Sequence, residues 1–297
     1  MKKTVGLVFT LYSLVFLGGA QKTPLKVFVS VDMEGIWGVV HGEQVSSDSR
    51  DYASARKWMA EDVNAVVEGL LEAGATEIVV NDSHGSMRNI LPQDLHPKAG
   101  LISGTPKPLS MMQGIDSSFA ACVFVGYHAR AGSAPAILDH TISSASIRAF
   151  RVNGLELPEL GINGAIAGYY KVPVIMLSGD VETCRQAKTV LGPELTAVEV
   201  KEAIGRLAAK MLPAEEARKR LKEGAREALL KRDKVAPFKL GAPLNFELEF
   251  QTSAQAETPS LLPQVKRIGP RTVAFTAQDY LEGFKIARAI IALAAGT

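Results

Sequence analysis

The chain has 297 residues, 47% of them hydrophobic and 22% charged, the balance of a globular protein with length for one large or two ordinary domains. Its 33 basic and 31 acidic residues leave a formal charge of +2, too little for the electrostatic footprint that nucleic acid or an anionic lipid surface requires. The two cysteines, Cys122 in an apolar strand-like run and Cys184 near a helix start, sit in no CxxC pattern and read as buried thiols.

The first twenty residues stand apart. Lys2 and Lys3 precede the apolar run "VGLVFTLYSLVFL", and Gly18 and Ala20 supply the small residues of a signal-peptidase site. The run is short for a membrane span. A cleaved secretory signal over 1–20 is expected, which places the mature protein in the periplasm or outside the cell; the other reading is an uncleaved anchor. Cleavage removes two lysines and no acids, leaving 31 charges of each sign.

The next stretch, "VFVSVDMEGIWGVV", is an apolar strand that ends in Asp32 and Glu34. In extended backbone, residues two apart share a face, so both carboxylates project together at the strand's carboxyl end. Like charges held that close call for a counter-ion, and a metal is one candidate. The other is that Asp32 caps a turn and Glu34 faces solvent. A helix follows, with Met59, Val63, Val66, Val67, Leu70 and Leu71 at helical spacing and Gly74 as its stop. Then comes the strand "TEIVVNDSHGS". Strand, helix and strand make a βαβ unit with parallel strands, which brings Asp82 and His84 to the same sheet edge as Asp32 and Glu34.

Two more apolar runs end alike, "FAACVFVGYHARAG" at His128 and "VPVIMLSGD" at Asp180. Ligands of open α/β sheets bind in the crevice beyond the strands' carboxyl ends. His140 in "AILDHTIS" and Glu159, in the first turn of a helix begun by Pro158, are further candidates. The helix dipole alone accounts for an acid at position 159, and His140 on a polar stretch is equally compatible with plain exposure. Beyond Asp180 the residues 199–232 read as one or two helices with a charged face. "PLNFELEFQ" and "RTVAFTA" read as an antiparallel pair, and "AQDYLEGFKIARAIIALAAG" as a closing helix.

The expected fold is therefore α/β, a mainly parallel Rossmann-like sheet with a metal site at the strand ends over 25–190, plus a smaller α+β portion over 191–297 that completes site walls and oligomer contacts. Imidazole and carboxylate without cysteine suit a catalytic zinc better than a structural one. Asp32, Glu34, His84, His128 and Glu159 are more ligands than one catalytic zinc takes. Two Zn²⁺ ions sharing a bridging carboxylate would use all five, hold a hydroxide at neutral pH and polarise a carbonyl, with His140 left as acid/base partner.

The strings "SVDMEGIWGVV", "VNDSHGSM", "LISG", "GYHARAG", "DHT" and "PELGINGAIAGYYKVPVIMLSGD" together resemble the M55 family of metallopeptidases, the D-aminopeptidase type, from about Lys26 to the closing helix. The resemblance implies a dinuclear zinc aminopeptidase acting on short peptides, D-Ala-D-Ala among them, and a large ring-like homo-oligomer. It implies Asp32, Glu34, His84, His128 and Glu159 as metal ligands, Asp32 as the bridge and His140 as the catalytic group. Asp82, two residues before His84, is left to orient a ligand or to cap a turn. Trp37 stands where the family pattern has a small residue, which is expected to reshape the pocket. Two alternatives stand beside this reading: a dinuclear amidase or esterase acting on another small molecule, and an exported solute-binding protein without turnover.

Overall fold

The computed structural model describes residues 1–3 and 24–296, so the apolar run of the expected leader lies outside the described residues. Among those described, no helix is long and apolar enough to cross a membrane.

The strand β1 (Lys26–Val31) is buried along almost its whole length. Its alternate residues divide between two cores. Val27, Val29 and Val31 join Met59, Val63, Val66 and Leu70 of α2 (Tyr52–Glu72) on one face, while Phe28 joins the other core. Burial on both faces is why the strand reads as a continuous apolar run rather than an alternating one. One helical turn, α1 (Gly42–Val45), precedes α2. After it come β2 (Glu77–Asp82), β3 (Ala99–Ile102) and β4 (Ala121–Val125), all parallel to β1.

The chain then leaves this sheet for β5 (Ile147–Val152) and β6 (Leu155–Glu156) and returns through α3 (Glu159–Tyr169). It continues with β7 (Val174–Asp180), α4 (Val181–Leu191), β8 (Thr196–Gly205), β9 (Ala208–Met211) and α5 (Ala214–Leu230). The last elements are β10 (Leu244–Phe250), β11 (Lys266–Arg267), β12 (Thr272–Ala277) and α6 (Tyr280–Ala294). The first sheet runs β3-β2-β1-β4-β7-β8-β9 and is parallel except for β9; the second runs β11-β12-β10-β5-β6 and is antiparallel. The expected α/β class is what the molecule has.

Two sequence expectations need correction or refinement. Residues 199–212 are not helical: they hold most of β8 and all of β9, and only α5 follows as a helix. Val198 and Val200 point inward while Glu199 and Glu202 face out, and those outward charges imitate a solvated helix face. Nor do the sheets divide at residue 190, because β8 and β9 join the first sheet and β5 and β6 the second.

For the site, one feature of the topology matters most. β1 has β2 on one side and β4 on the other, with Val31 level with both Asp82 and Val125. The chain order reverses between β1 and β4, so the connections leaving them diverge and open a crevice. Asp32, Ser83 and Gly126 are the first residues past that edge.

Candidate metal centre

The exits of β1 and β4 are locked together by backbone. Asp32 N donates to Val125 O (2.8 Å) and Gly35 N to Gly126 O (2.8 Å). A Cβ on Gly35 would lie 1.9 Å from Tyr127 O, and Gly126, at φ +70°, would carry one 2.4 Å from Asp32 O. Only glycines allow these two turns to touch, and their touching brings Asp32 and Glu34 to His128. Lys201 of β8 fastens the same turn from below: its Nζ donates to the carbonyls of Glu34 (2.6 Å), Ile36 (2.8 Å) and Val39 (2.5 Å).

Beyond β2, Asp82 is no ligand. It accepts from Asn89 N (2.6 Å), Ile90 N (2.7 Å) and Asn89 Nδ2 (2.7 Å), and that same Nδ2 donates to the carbonyl of His84 (2.8 Å). It caps the loop that carries His84, the turn-capping alternative. Asp180 likewise caps α4 through Thr183 N (2.8 Å) and stays out of the cluster. Glu159 opens α3, as its position after Pro158 requires. His140 is flanked by Leu138 and Ile142, both non-glycine residues at positive φ (49° and 61°). Such strained backbone persists where surrounding structure over-determines it, and here it lets Ile142 N donate to Glu159 Oε1 (2.6 Å).

The six residues expected from sequence come together. Asp32 Oδ1 lies 3.2 Å and Glu34 Oε2 3.1 Å from His84 Nδ1. On the other side Asp32 Oδ2 lies 3.4 Å and Glu159 Oε1 3.2 Å from His128 Nε2, and His140 Nε2 is 3.6 Å from Glu159 Oε1. All three carboxylates and His128 are buried.

Each histidine follows one rule. One ring nitrogen meets a backbone carbonyl: His84 Nε2 at Val45 O (2.8 Å), His128 Nδ1 at Ala129 O (3.0 Å), His140 Nδ1 at Leu138 O (2.9 Å). A carbonyl only accepts, so that nitrogen carries the proton, and in a neutral ring the other nitrogen turns a lone pair toward the carboxylates. A donated second N–H is how metal-binding histidines are held. His128 Nε2 is moreover a buried nitrogen without a hydrogen-bond partner. A lone pair and carboxylate oxygens facing one another repel unless a cation sits between them. The donor set of imidazoles and carboxylates is also the one zinc takes at catalytic sites, so the residues present fit a metal.

The electrostatics agree. Burial alone would push Glu34 and Glu159 up, but the positive charge that His84 and His128 respectively supply outweighs it and holds both carboxyls below the usual range. Burial would push His84 and His128 down, yet Glu34 and Glu159 raise them well above the usual imidazole range. Three buried carboxylates demand positive charge, and the imidazoles take up protons where no other cation supplies it.

The cluster forms one wall of a cavity of about 220 Å³ reached by Asp32, His84, His140 and Glu159. A sequence model of the M55 peptidases, described as D-aminopeptidase, matches residues 25–289. The chain belongs to the M55 peptidase family. It is 39% identical over 262 residues to the D-aminopeptidase of Bacillus subtilis (strain 168), covering 88% of this chain and 94% of that one. A solved structure, the Zn-dependent D-aminopeptidase DppA from Bacillus subtilis, described as a self-compartmentalizing protease, superposes with a TM-score of 0.89 at 38% identity, covering 92% of this chain and 99% of that chain. Membership of M55 makes the chain a metallo-aminopeptidase and sets aside a solute-binding protein without turnover.

Trp37 corrects one expectation about this M55 site. It does not line the cavity: its indole Nε1 donates to Leu212 O (2.7 Å), its ring meets Trp58 edge-on, and Arg218 lies over it. Its bulk fills the seam between α2 and α5. Sequence reasoning missed Lys201 and Asn89, which hold the loops bearing Glu34 and His84. No sequence signal marked Lys201: alternation with Val198 and Val200 puts it on the outward face, and a register shift at this point of β8 turns it inward.

Proposed function

We propose that this M55 enzyme is a zinc aminopeptidase that removes the N-terminal residue from short peptides of D-amino acids, D-Ala-D-Ala among them, using two zinc ions per subunit. The observation that carries the reading is the division of Asp32, one oxygen toward His84 and the other toward His128. Asp32, Glu34 and His84 would hold one metal, and Asp32, His128 and Glu159 the other. When bound, zinc supplies a Lewis acid for the peptide carbonyl and brings the pKa of water toward neutrality.

The protein's own part is placement and proton transfer. Lys201 and the touching glycines keep Glu34 and Asp32 in register, and the backbone carbonyls hold each imidazole in one orientation. His140 is partly open to the cavity, with Nδ1 held by Leu138 O and Nε2 free of any hydrogen bond among the described residues. It takes a proton at Nε2 from the water that attacks the peptide carbonyl and returns it to the amine nitrogen released as the C–N bond breaks. The expected leader sends the enzyme out of the cytoplasm, secreted or periplasmic, where peptidoglycan fragments and environmental peptides supply its substrates. The description of the Bacillus subtilis structure as self-compartmentalizing supports a large homo-oligomer here also.

The test is release of alanine by zinc-loaded protein from D-Ala-D-Ala, L-Ala-L-Ala and N-acetyl-D-Ala-D-Ala. Release from the D-dipeptide that acetylation abolishes is the expected result. Turnover of neither dipeptide, with hydrolysis of another amide or ester, would move the substrate elsewhere.

A further inference from the structure

The cavity holds a further charged group besides the metal cluster. Arg288 of α6 lines it and, among the described residues, is the sole cationic side chain to do so apart from His84 and His140. Its helix is fixed in place: Tyr280, two turns earlier, is buried and donates from its hydroxyl to Ile162 O of α3 (2.9 Å). Phe284 and Arg288, four residues apart on one helix face, therefore both reach the cavity.

Among the described residues the Arg288 guanidinium makes no hydrogen bond and no ion pair. It is half-buried, and burial works against its charge, with the field of Glu159 as compensation. Glu159 Oε1 is already engaged by Ile142 N and faces two imidazoles, so its charge belongs to the metal cluster. A partly desolvated guanidinium with five free donors lining a cavity wants a planar anion, and a carboxylate takes it in bidentate fashion. The rest of the lining is neutral, with Met87, Met111, Ile142 and Ile162 beside the polar Thr105 and Ser110, and offers that anion no other full positive charge outside the histidines. About 220 Å³ is below the roughly 300 Å³ at which sites for drug-sized molecules begin, which suits a molecule of about two residues.

We propose that Arg288 binds the C-terminal carboxylate of the substrate, so that the enzyme selects short peptides whose free α-carboxylate can reach this guanidinium while the peptide bond lies at the metal cluster lining the same cavity. This rests on the peptidase reading above. Arg288 is thus a specificity-determining residue that acts on the substrate's terminus and not on the bond that breaks.

The test separates binding from turnover. Zinc-loaded full-length protein carrying His140→Gln is titrated by calorimetry with D-Ala-D-Ala and with D-alanyl-D-alanine amide, with and without Arg288→Gln or Arg288→Lys. The free acid should bind at least about ten-fold more tightly than the amide, a preference that Arg288→Gln brings to within about two-fold and Arg288→Lys keeps in part. With His140 intact, the same loss should appear in KM for the free acid more than in kcat. Equal binding of acid and amide, or a preference untouched by Arg288→Gln, would overturn the proposal. Selective binding without turnover in the His140-intact enzyme would uphold it while removing the peptidase reading.

Discussion

The rings of His128 and His140 stack 3.9 Å apart and 11° from parallel, and both point Nε2 at Glu159 Oε1, from 3.2 and 3.6 Å. His128, His140 and Glu159 thereby form a ligand set as compact as Asp32, Glu34 and His128. Stacking leaves His140 on the cavity side, partly exposed, and His128 beneath it. The expected division is His128 on metal and His140 on the substrate's protons. His140→Gln should lower kcat by about 10²- to 10⁴-fold with zinc content unchanged. Loss of about one zinc per chain alongside the activity would make His140 a ligand instead.

Gly35 sits where a methyl group would strike Tyr127 O at 1.9 Å. Gly35→Ala must therefore push the turn bearing Glu34 away from the strand bearing His128. We expect a folded protein of lower melting temperature with weakened zinc binding, read by chelator competition. Wild-type zinc affinity in this variant would show that the contact between the two turns does not set the site.

Lys201 replaces water for three buried carbonyls, and burial lowers its pKa to about 7. Lys201→Met strands those carbonyls. Each unsatisfied buried group costs about 1–3 kcal/mol, so urea unfolding of the metal-free protein should show a loss of roughly 3 kcal/mol or more. An unchanged midpoint would mean that the turn finds other donors.

Asp62 of α2 accepts from Trp37 N (2.9 Å), while its Oδ1 has no hydrogen-bond partner and Arg218 Nε stays 3.9 Å away. Burial pushes its carboxyl up to about 7 from an ordinary 3.8. Between those values the folded protein keeps a proton that the unfolded chain has released. Stability from this group is thus present in full below the ordinary value and lost as pH rises through 7. Relative to Asp62→Asn, the wild type should lose stability between pH 4.5 and 8, by an amount on the order of 1.4 kcal/mol for each pKa unit crossed. A pH-independent difference between the two would contradict the burial argument.

Much of this was legible in the residues. β1, β2, β4 and β7 announce themselves as apolar runs because burial on both faces leaves no polar alternation, and the βαβ rule alone puts Asp32, Glu34, His84 and His128 on one edge. Glu159 and His140 were ambiguous for a physical reason: a first-turn acid satisfies the helix dipole anywhere, and only tertiary packing brings it to His128. Lys201 was hidden because charges beside it on β8 resemble a helical surface, whereas the strand turns this one lysine inward. Arg288 obeys ordinary helical spacing, and nothing in that spacing tells a cavity from solvent.

Asp32 reaches toward both histidine positions at once, so its removal should cost more than one metal. The most direct measurement is zinc content per chain after reconstitution and desalting, for the wild type and for Asp32→Ala, with circular dichroism to confirm folding. About two zinc ions are expected in the wild type and substantially fewer than one in the folded variant. One zinc in the wild type, or two retained without Asp32, would contradict the shared-carboxylate centre on which the proposed chemistry rests.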